Sequence, residues 1–275
     1  MMVTDHTERT AANTDLVSLE AGDHACWVVD SPVDFATTTT RIFADGARLK
    51  QKSVLLGPAR RLPTGDLPPG VIVTDPYGLS VDGGVLEPER LVGAFELQSD
   101  QALQEGFAGL RVVADVDWVL PAAPDLERII DFEMTIDAVV RDLKATAVCA
   151  YRPASFAATT IEGARCVHRL RAGGDGTEPP FTMTALDSRS WRLAGEVDLA
   201  VHRTFLAAMR GGLRTGRTFD VSDLHFIDLT GMRLIGVAAL DAGGVVTLVR
   251  PTPLFRRLWD IAGFGELCPG VVLRP

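Results

Sequence analysis

Lysine is almost missing from this chain of 275 residues: Lys50, Lys52 and Lys144 are the full set, and arginine carries the remaining basic charge. We read that skew as codon bias rather than mechanism. Basic residues are also outnumbered, 27 against 36 acidic, for a formal net charge of −9. A nucleic-acid partner needs a basic face, so direct nucleic-acid binding is not expected. The four cysteines, Cys26, Cys149, Cys166 and Cys268, form no CxxC pair and no spacing that announces zinc. No run of about 18 uncharged apolar residues exists to span a membrane. The amino-terminal stretch is polar and acidic, without an apolar signal core. Together these absences lead to the expectation of a cytoplasmic protein with reduced thiols and no membrane partner.

What is present is an alternation. After a polar stretch read as a flexible tail over residues 1–17, "ACWVV", "SVLLG", "VIVTD", "LRVVADVDW" and "TAVCAY" are strand-like. Between them lie helix-like stretches: "DFATTTTRIFADGARLK", "EPERLVGAFELQSDQALQEGF" and "DLERIIDFEMTIDAVVRDL", with "TTIEGARCVHRL" as a last helix. Such alternation predicts an α/β domain with a largely parallel sheet. "RAGGDGTEPP" (171–180) mixes glycine, proline and charge without an apolar anchor, and we place the linker at 173–180. The rest reads as a small α/β domain: "FTMTAL", "SWRLAGEVD" and "TFDVSDLHFID" as strands, the last broken mildly at Ser222-Asp223. An amphipathic helix ends at Gly211-Gly212, a second follows Asp228, and a third opens at Pro251-Thr252-Pro253.

This carboxy-terminal part, residues 181–275, resembles the STAS domain of bacterial anti-sigma factor antagonists. The marks are the Gly195-Glu196-Val197-Asp198 turn, the strand "DVSDLHFID", the turn Asp228-Leu229-Thr230-Gly231 and the helix start after Pro251. The resemblance implies that a kinase-type anti-sigma factor, a serine/threonine kinase of the histidine-kinase-like ATPase type, phosphorylates Thr230. Asp228, Leu229, Gly231 and Met232 would then form the partner-binding surface. A helix amino-terminus tolerates a phosphate through its free N–H groups and dipole. The added charge would disfavour docking. The family often has two adjacent hydroxyls before the glycine; here Leu229 takes the first position, and the following helix looks short. The simpler reading makes Thr230 a helix N-cap, worth about 1 kcal/mol, and capping does not exclude the switch.

Residues 18–172 resemble the MEDS sensory domain of bacterial and archaeal regulators. "GDHACWVVDSPVDF", Trp118 closing a strand, the Glu133 helix and "CAYRPASF" carry the likeness. The resemblance implies a RecA/KaiC-like parallel-sheet fold. Where a phosphate loop would stand the chain reads "DSPVDFATTTT", with no glycine to wrap a phosphate and no lysine to neutralise it. "GPARRLPTGD" (57–66) does not restore the pattern. ATP is therefore not expected, no enzyme activity is expected, and a repurposed ligand pocket follows.

His24 and Cys26, two residues apart on a strand, point to one side and are candidate ligands for a metal, haem or small molecule, with Trp118 and Glu133 as further lining. Two ligands do not close a zinc site, so a hydrogen-bonded core histidine beside a small buried cysteine is the simpler reading; Cys149 and His168 could join only through the fold. Asp115 and Asp117, near a strand end, have no nucleophile to serve in recognisable order, and Trp27, like Trp118, is a candidate for pocket lining although such residues are more often core. Two functions remain. One is a sensor-linked anti-sigma factor antagonist that regulates transcription by partner switching in stress signalling. The other is a metal, haem or small-molecule sensor whose carboxy-terminal domain only docks.

Overall fold

The computed structural model describes residues 14–58, 67–187 and 189–275. Most of the expected tail, and residues 59–66 of the loop weighed against a phosphate-binding pattern, lie outside the described residues. In chain order the amino-terminal part contains β1 (His24–Val28), α1 (Pro32–Arg48), β2 (Gln51–Leu56), β3 (Ile72–Thr74), α2 (Tyr77–Ser80) and the hairpin β4 (Val81–Asp82) and β5 (Val85–Leu86). It continues through α3 (Pro88–Gln104), β6 (Gly109–Asp115), α4 (Leu126–Asp142), β7 (Thr146–Tyr151), α5 (Ala158–Cys166) and β8 (Leu170–Gly173).

Strands apolar along their whole length need cover on both faces, which a parallel sheet between helices provides. β1, β6 and β7 are buried at every residue. The six strands run in the order β3-β2-β6-β7-β1-β8, every pairing parallel. β1 and β7 are in register, Cys26 opposite Cys149 and His24 opposite Ala147. Alternate residues face opposite ways. Cys26, Val28, Cys149 and Tyr151 join the core with Ile129, Phe132 and Ile136 of α4, while Ala25, Trp27, Val148 and Ala150 join the core with Phe35, Ile42 and Phe43 of α1.

Local signals fix the helix starts. Ser31 accepts the Asp34 N–H at 3.1 Å before Pro32, and Asp125 accepts the Arg128 N–H at 2.9 Å. The expected last helix is shorter than read: α5 stops at Cys166, and Leu170–Gly173 forms a sixth strand beside β1 that also takes the first residue of the expected linker. The expected strand ending at Trp118 stops at Asp115 and passes into a 3₁₀ turn over Val116–Ala122. The tail expected to reach residue 17 ends earlier, since Leu16 is buried and the Thr14 N–H donates to the Arg171 carbonyl at 2.8 Å.

The carboxy-terminal part contains β9 (Phe181–Ala185), β10 (Ser190–Val197), α6 (His202–Thr215), β11 (Thr218–Ile227), α7 (Leu229–Ala242), β12 (Val246–Val249), α8 (Pro253–Ile261), α9 (Phe264–Leu267) and β13 (Val271–Arg274). Its separate mixed sheet runs β13-β12-β11-β10-β9, with only the β9–β10 pairing antiparallel. The mild break at Ser222-Asp223 is a bulge: β11 advances from Asp220 to Asp223 while β10 advances from Arg192 to Ala194. Gly195, read both within the strand "SWRLAGEVD" and as the start of a turn, is strand. Its φ of +95° brings the backbone so close to β9 that a Cβ would stand 2.4 Å from the Pro180 carbonyl oxygen.

The two sheets are not merely tethered. Gly211 and Gly212, expected to end α6, lie buried inside it, and a Cβ on Gly211 would meet Met134 Sδ of α4 at 2.8 Å. α4 and α6 thus pack at glycine distance. Met134 and Ile130 belong to one continuous core with Trp191, Phe205 and Phe219. Arg214 reaches Asp131 at 3.2 Å and Glu89 at 2.7 Å across the same seam. The connecting segment is pinned as well: Arg171 Nη2 donates to Glu178 Oε2 at 2.6 Å, and the Glu196 N–H donates to the Pro180 carbonyl at 2.7 Å. Among the described residues no helix is long and apolar enough to cross a membrane.

Candidate functional site

β1, α4, β7 and the turn after α5 each send one polar side chain to a single buried point. His24 lies on the α4-facing side of β1, Cys149 on the same side of β7, Glu133 on the sheet-facing side of α4, and His168 two residues past α5. All four are buried, and one ligand atom from each lies within 4.8 Å of the others. His24 Nε2 is 3.1 Å from His168 Nε2 and 3.3 Å from Cys149 Sγ. Glu133 Oε2 is 3.4 Å from each imidazole Nε2 and makes no hydrogen bond.

A second ring of contacts orients this group. Tyr151 donates its hydroxyl to Glu133 Oε1. His168 Nδ1 lies 2.7 Å from the Ala164 carbonyl, which can only accept, so Nδ1 carries the hydrogen and Nε2 faces the centre. His24 Nδ1 is 3.5 Å from Asp137 Oδ1, and Asp137 Oδ2 is 3.0 Å from Arg141 Nη2. Arg141 in turn donates to the Ala185 carbonyl at the end of β9 in the second sheet.

The electrostatics follow from burial and close opposite charges. Burial works against the His24 imidazolium, but Asp137 and Glu133 outweigh it and raise its pKa to about 9. Burial also works against the Glu133 carboxylate, yet His168 and His24 hold it well below the usual range. Asp137 is lowered too, His24 prevailing over burial. Burial, with Glu133 nearby, pushes the Cys149 thiol and the Tyr151 hydroxyl well up.

Of the four residues expected to line a pocket, then, His24 and Glu133 meet. Cys26 shares their face in register with Cys149 but stays outside the converging group. Trp118 is core: it sits in the 3₁₀ turn, edge-on to Phe132 at 5.8 Å. Trp27 stacks on Phe35 at 5.6 Å. Asp115 and Asp117 serve structure, since Arg152 pairs with both, at 3.5 Å to Asp117, and Ser155 Oγ donates to Asp117 at 2.7 Å. Sequence reading passed over Asp137 and Tyr151. Their signals were helical spacing, with Asp137 four residues after Glu133, and β7 alternation, with Tyr151 two after Cys149.

Residues 23–169 match the family model of MEDS, the methanogen/methylotroph, DcmR sensory domain. The chain belongs to the MEDS family. The matched span opens one residue before His24 and closes one residue after His168, so the whole buried group lies inside the MEDS domain. A sensory signalling role accords with that membership, and residues 181–275 lie outside the match. No curated protein matches the chain.

Outside the MEDS domain, the second polar feature is at the start of α7. Asp228, not Thr230, is the N-cap: its Oδ1 accepts the Gly231 N–H at 2.7 Å, and both its oxygens lie within reach of His202 Nε2, at 2.9 and 3.0 Å. Thr230 is exposed in the first turn. Leu229 is exposed beside it, whereas Gly231 and Met232 are buried, so the surface expected for a partner is narrower than the sequence implied. α7 runs 14 residues and is not cut short.

Proposed function

We propose that the chain is a signalling regulator in which the MEDS domain senses and the carboxy-terminal domain answers, as an anti-sigma factor antagonist of the STAS type switched by phosphorylation of Thr230. The observation that carries this reading is the state of Thr230. Its hydroxyl is exposed in the first turn of a helix whose cap is already supplied by Asp228, so it has no capping duty to keep it there. Free N–H groups and the helix dipole at that end favour an added phosphate.

The surroundings support a docking surface. Leu199, 81 % exposed, follows β10, and Phe226 and Leu229 flank the turn after β11, so apolar side chains stand at the same end of two neighbouring strands. A phosphate on Thr230 would place about two negative charges in that apolar field and weaken partner binding. The partner in this reading is an anti-sigma factor with serine/threonine kinase activity of the histidine-kinase-like ATPase type, and the protein itself is not an enzyme. For the MEDS half, the all-parallel sheet supports a RecA/KaiC-like ancestry. The connection from β1 to α1 is only Val29-Asp30-Ser31, which leaves no glycine loop for a nucleotide phosphate. The alternative, a sensor whose second domain only docks, gains its support from the buried His24–Glu133–Cys149–His168 group rather than from α7.

The test is intact-mass measurement of the protein taken from its own host with and without stress, followed by fragment mapping of the peptide that holds Thr230. We expect one phosphate on Thr230 whose occupancy changes with condition. Unmodified Thr230 under every condition would remove the switch and leave the docking alternative.

A further inference from the structure

Two acceptors of the buried group in the MEDS domain face one point. His168 commits its one hydrogen to the Ala164 carbonyl, so its Nε2 offers a lone pair. Glu133 Oε2 offers another and has no hydrogen-bond partner. His24 Nε2 and Cys149 Sγ face the same point, with Nε2 3.3 Å from Sγ, 3.1 Å from His168 Nε2 and 3.4 Å from Glu133 Oε2, all in a dry interior. A buried carboxylate oxygen left without a partner is costly. A single cation at the centre satisfies all four at once.

The spacing agrees. Bonds of about 2.0–2.3 Å in a tetrahedral site put ligand atoms about 3.3–3.8 Å apart. Four of the six distances among the ligand atoms, 3.1, 3.3, 3.4 and 3.4 Å, lie within or just below that range. We infer that His24, Glu133, Cys149 and His168 form a tetrahedral site for a divalent transition-metal ion of the zinc class. Asp137 and Tyr151 are its positioning residues: one backs His24 through Nδ1, the other holds Glu133 through Oε1, the arrangement that orients metal ligands elsewhere. The donor set, two imidazoles, a carboxylate and a thiolate, suits zinc over magnesium or calcium. Haem does not fit, because ligand atoms within 4.8 Å of one another leave no room for a macrocycle.

The site also has a route outward. Ligand binding would fasten α4 to β1, β7 and the turn after α5. α4 carries Met134, next to Glu133, into the core shared with α6, and Asp137 leads through Arg141 to β9. Occupancy is thus read at the seam between the two sheets. This inference stands apart from the Thr230 switch and neither requires nor excludes it.

The experiment uses the full chain, stripped with a chelator, and follows cobalt(II) by visible and near-ultraviolet absorbance. We expect intense tetrahedral ligand-field bands and a thiolate charge-transfer band that saturate at one equivalent and vanish when zinc(II) is added. Cys149→Ser should remove the charge-transfer band, while Cys268→Ser should leave it unchanged. Asp137→Asn should weaken zinc binding by about 10- to 100-fold. A stripped wild-type chain that is folded by circular dichroism yet gives only the weak spectrum of hydrated cobalt would overturn the site without recourse to any variant. A charge-transfer band that persists in Cys149→Ser would also overturn it.

Discussion

The two sheets treat polar chemistry in opposite ways. In the MEDS domain, the parallel sheet and α4 close over two imidazoles, a carboxylate, a thiol and a phenol, all out of contact with water. In the carboxy-terminal domain the residue of interest, Thr230, stands on the surface, and the half-buried Asp228 caps its helix. The difference teaches where each domain can be addressed. A buried site answers small species that reach the interior and stiffen what surrounds it. An exposed hydroxyl beside apolar side chains lies within reach of macromolecules. α4, with Glu133 turned to the first sheet and Met134 to the second, belongs to both environments.

Stability measurements break or sharpen this contrast. The largest effect is expected at Glu133. Glu133→Ala in the chelator-stripped protein leaves the His24 and His168 imidazoles facing a void without their carboxylate, and should cost about 3–5 kcal/mol in urea unfolding. A loss below about 1 kcal/mol would mean that the group is loosely held and wet, and the contrast between the two domains would fail.

A smaller effect is expected at Asp220 on β11, which Arg250 grips and whose carboxylate also accepts the Ser222 N–H at 3.1 Å. Burial opposes its ionisation, but the Arg250 and Ser222 hydrogen bonds prevail and lower its pKa. A carboxylate lowered in the folded state contributes stability that is complete above its unfolded pKa of about 3.9 and is lost as pH falls through the folded value. Acid unfolding should therefore take a steeper course below about pH 4 in the wild type than in Asp220→Asn. At neutral pH that variant should already have lost about 1.5–3 kcal/mol. Parallel acid profiles would show that the Arg250 pairing adds nothing.

The smallest effects separate the cap from the hydroxyl at α7. Asp228→Ala should cost about 1 kcal/mol, since the Gly231 N–H loses its acceptor and His202 its carboxylate. Thr230→Ala should change stability by less than about 0.5 kcal/mol. If thermal melts reversed that order, Thr230 would be a structural residue after all, and the surface role would lose its footing.

Much of the architecture was legible because it rests on local signals. Fully apolar runs at β1, β6 and β7 and the stripe from Ile129 to Val140 on α4 need only near neighbours to be read. The errors fall where distant contacts overrode local preference. Gly211-Gly212 looks like a helix end, yet α4 packs so close that only glycine fits inside α6. The turn read from Gly195 onward begins later, because Gly195 is a strand position pressed on Pro180. Leu170–Gly173, short and bordered by glycine, becomes a strand because β1 offers it an open edge. Thr230 looks like a cap because threonine caps helices, but Asp228, held by His202, takes the place.

The sequence by itself determined the alternating pattern of strands and helices and the shared side of β1 on which His24 and Cys26 fall. Periodicity is a property of the backbone, and a strand turns every second residue the same way whatever lies beside it. Only the tertiary structure decided that His24 would meet Cys149, 125 positions away, and His168, 144 positions away, while Cys26 would not join them. Partners across a parallel sheet are set by strand order and register, which arise from the packing of the whole domain and leave no local trace in the chain.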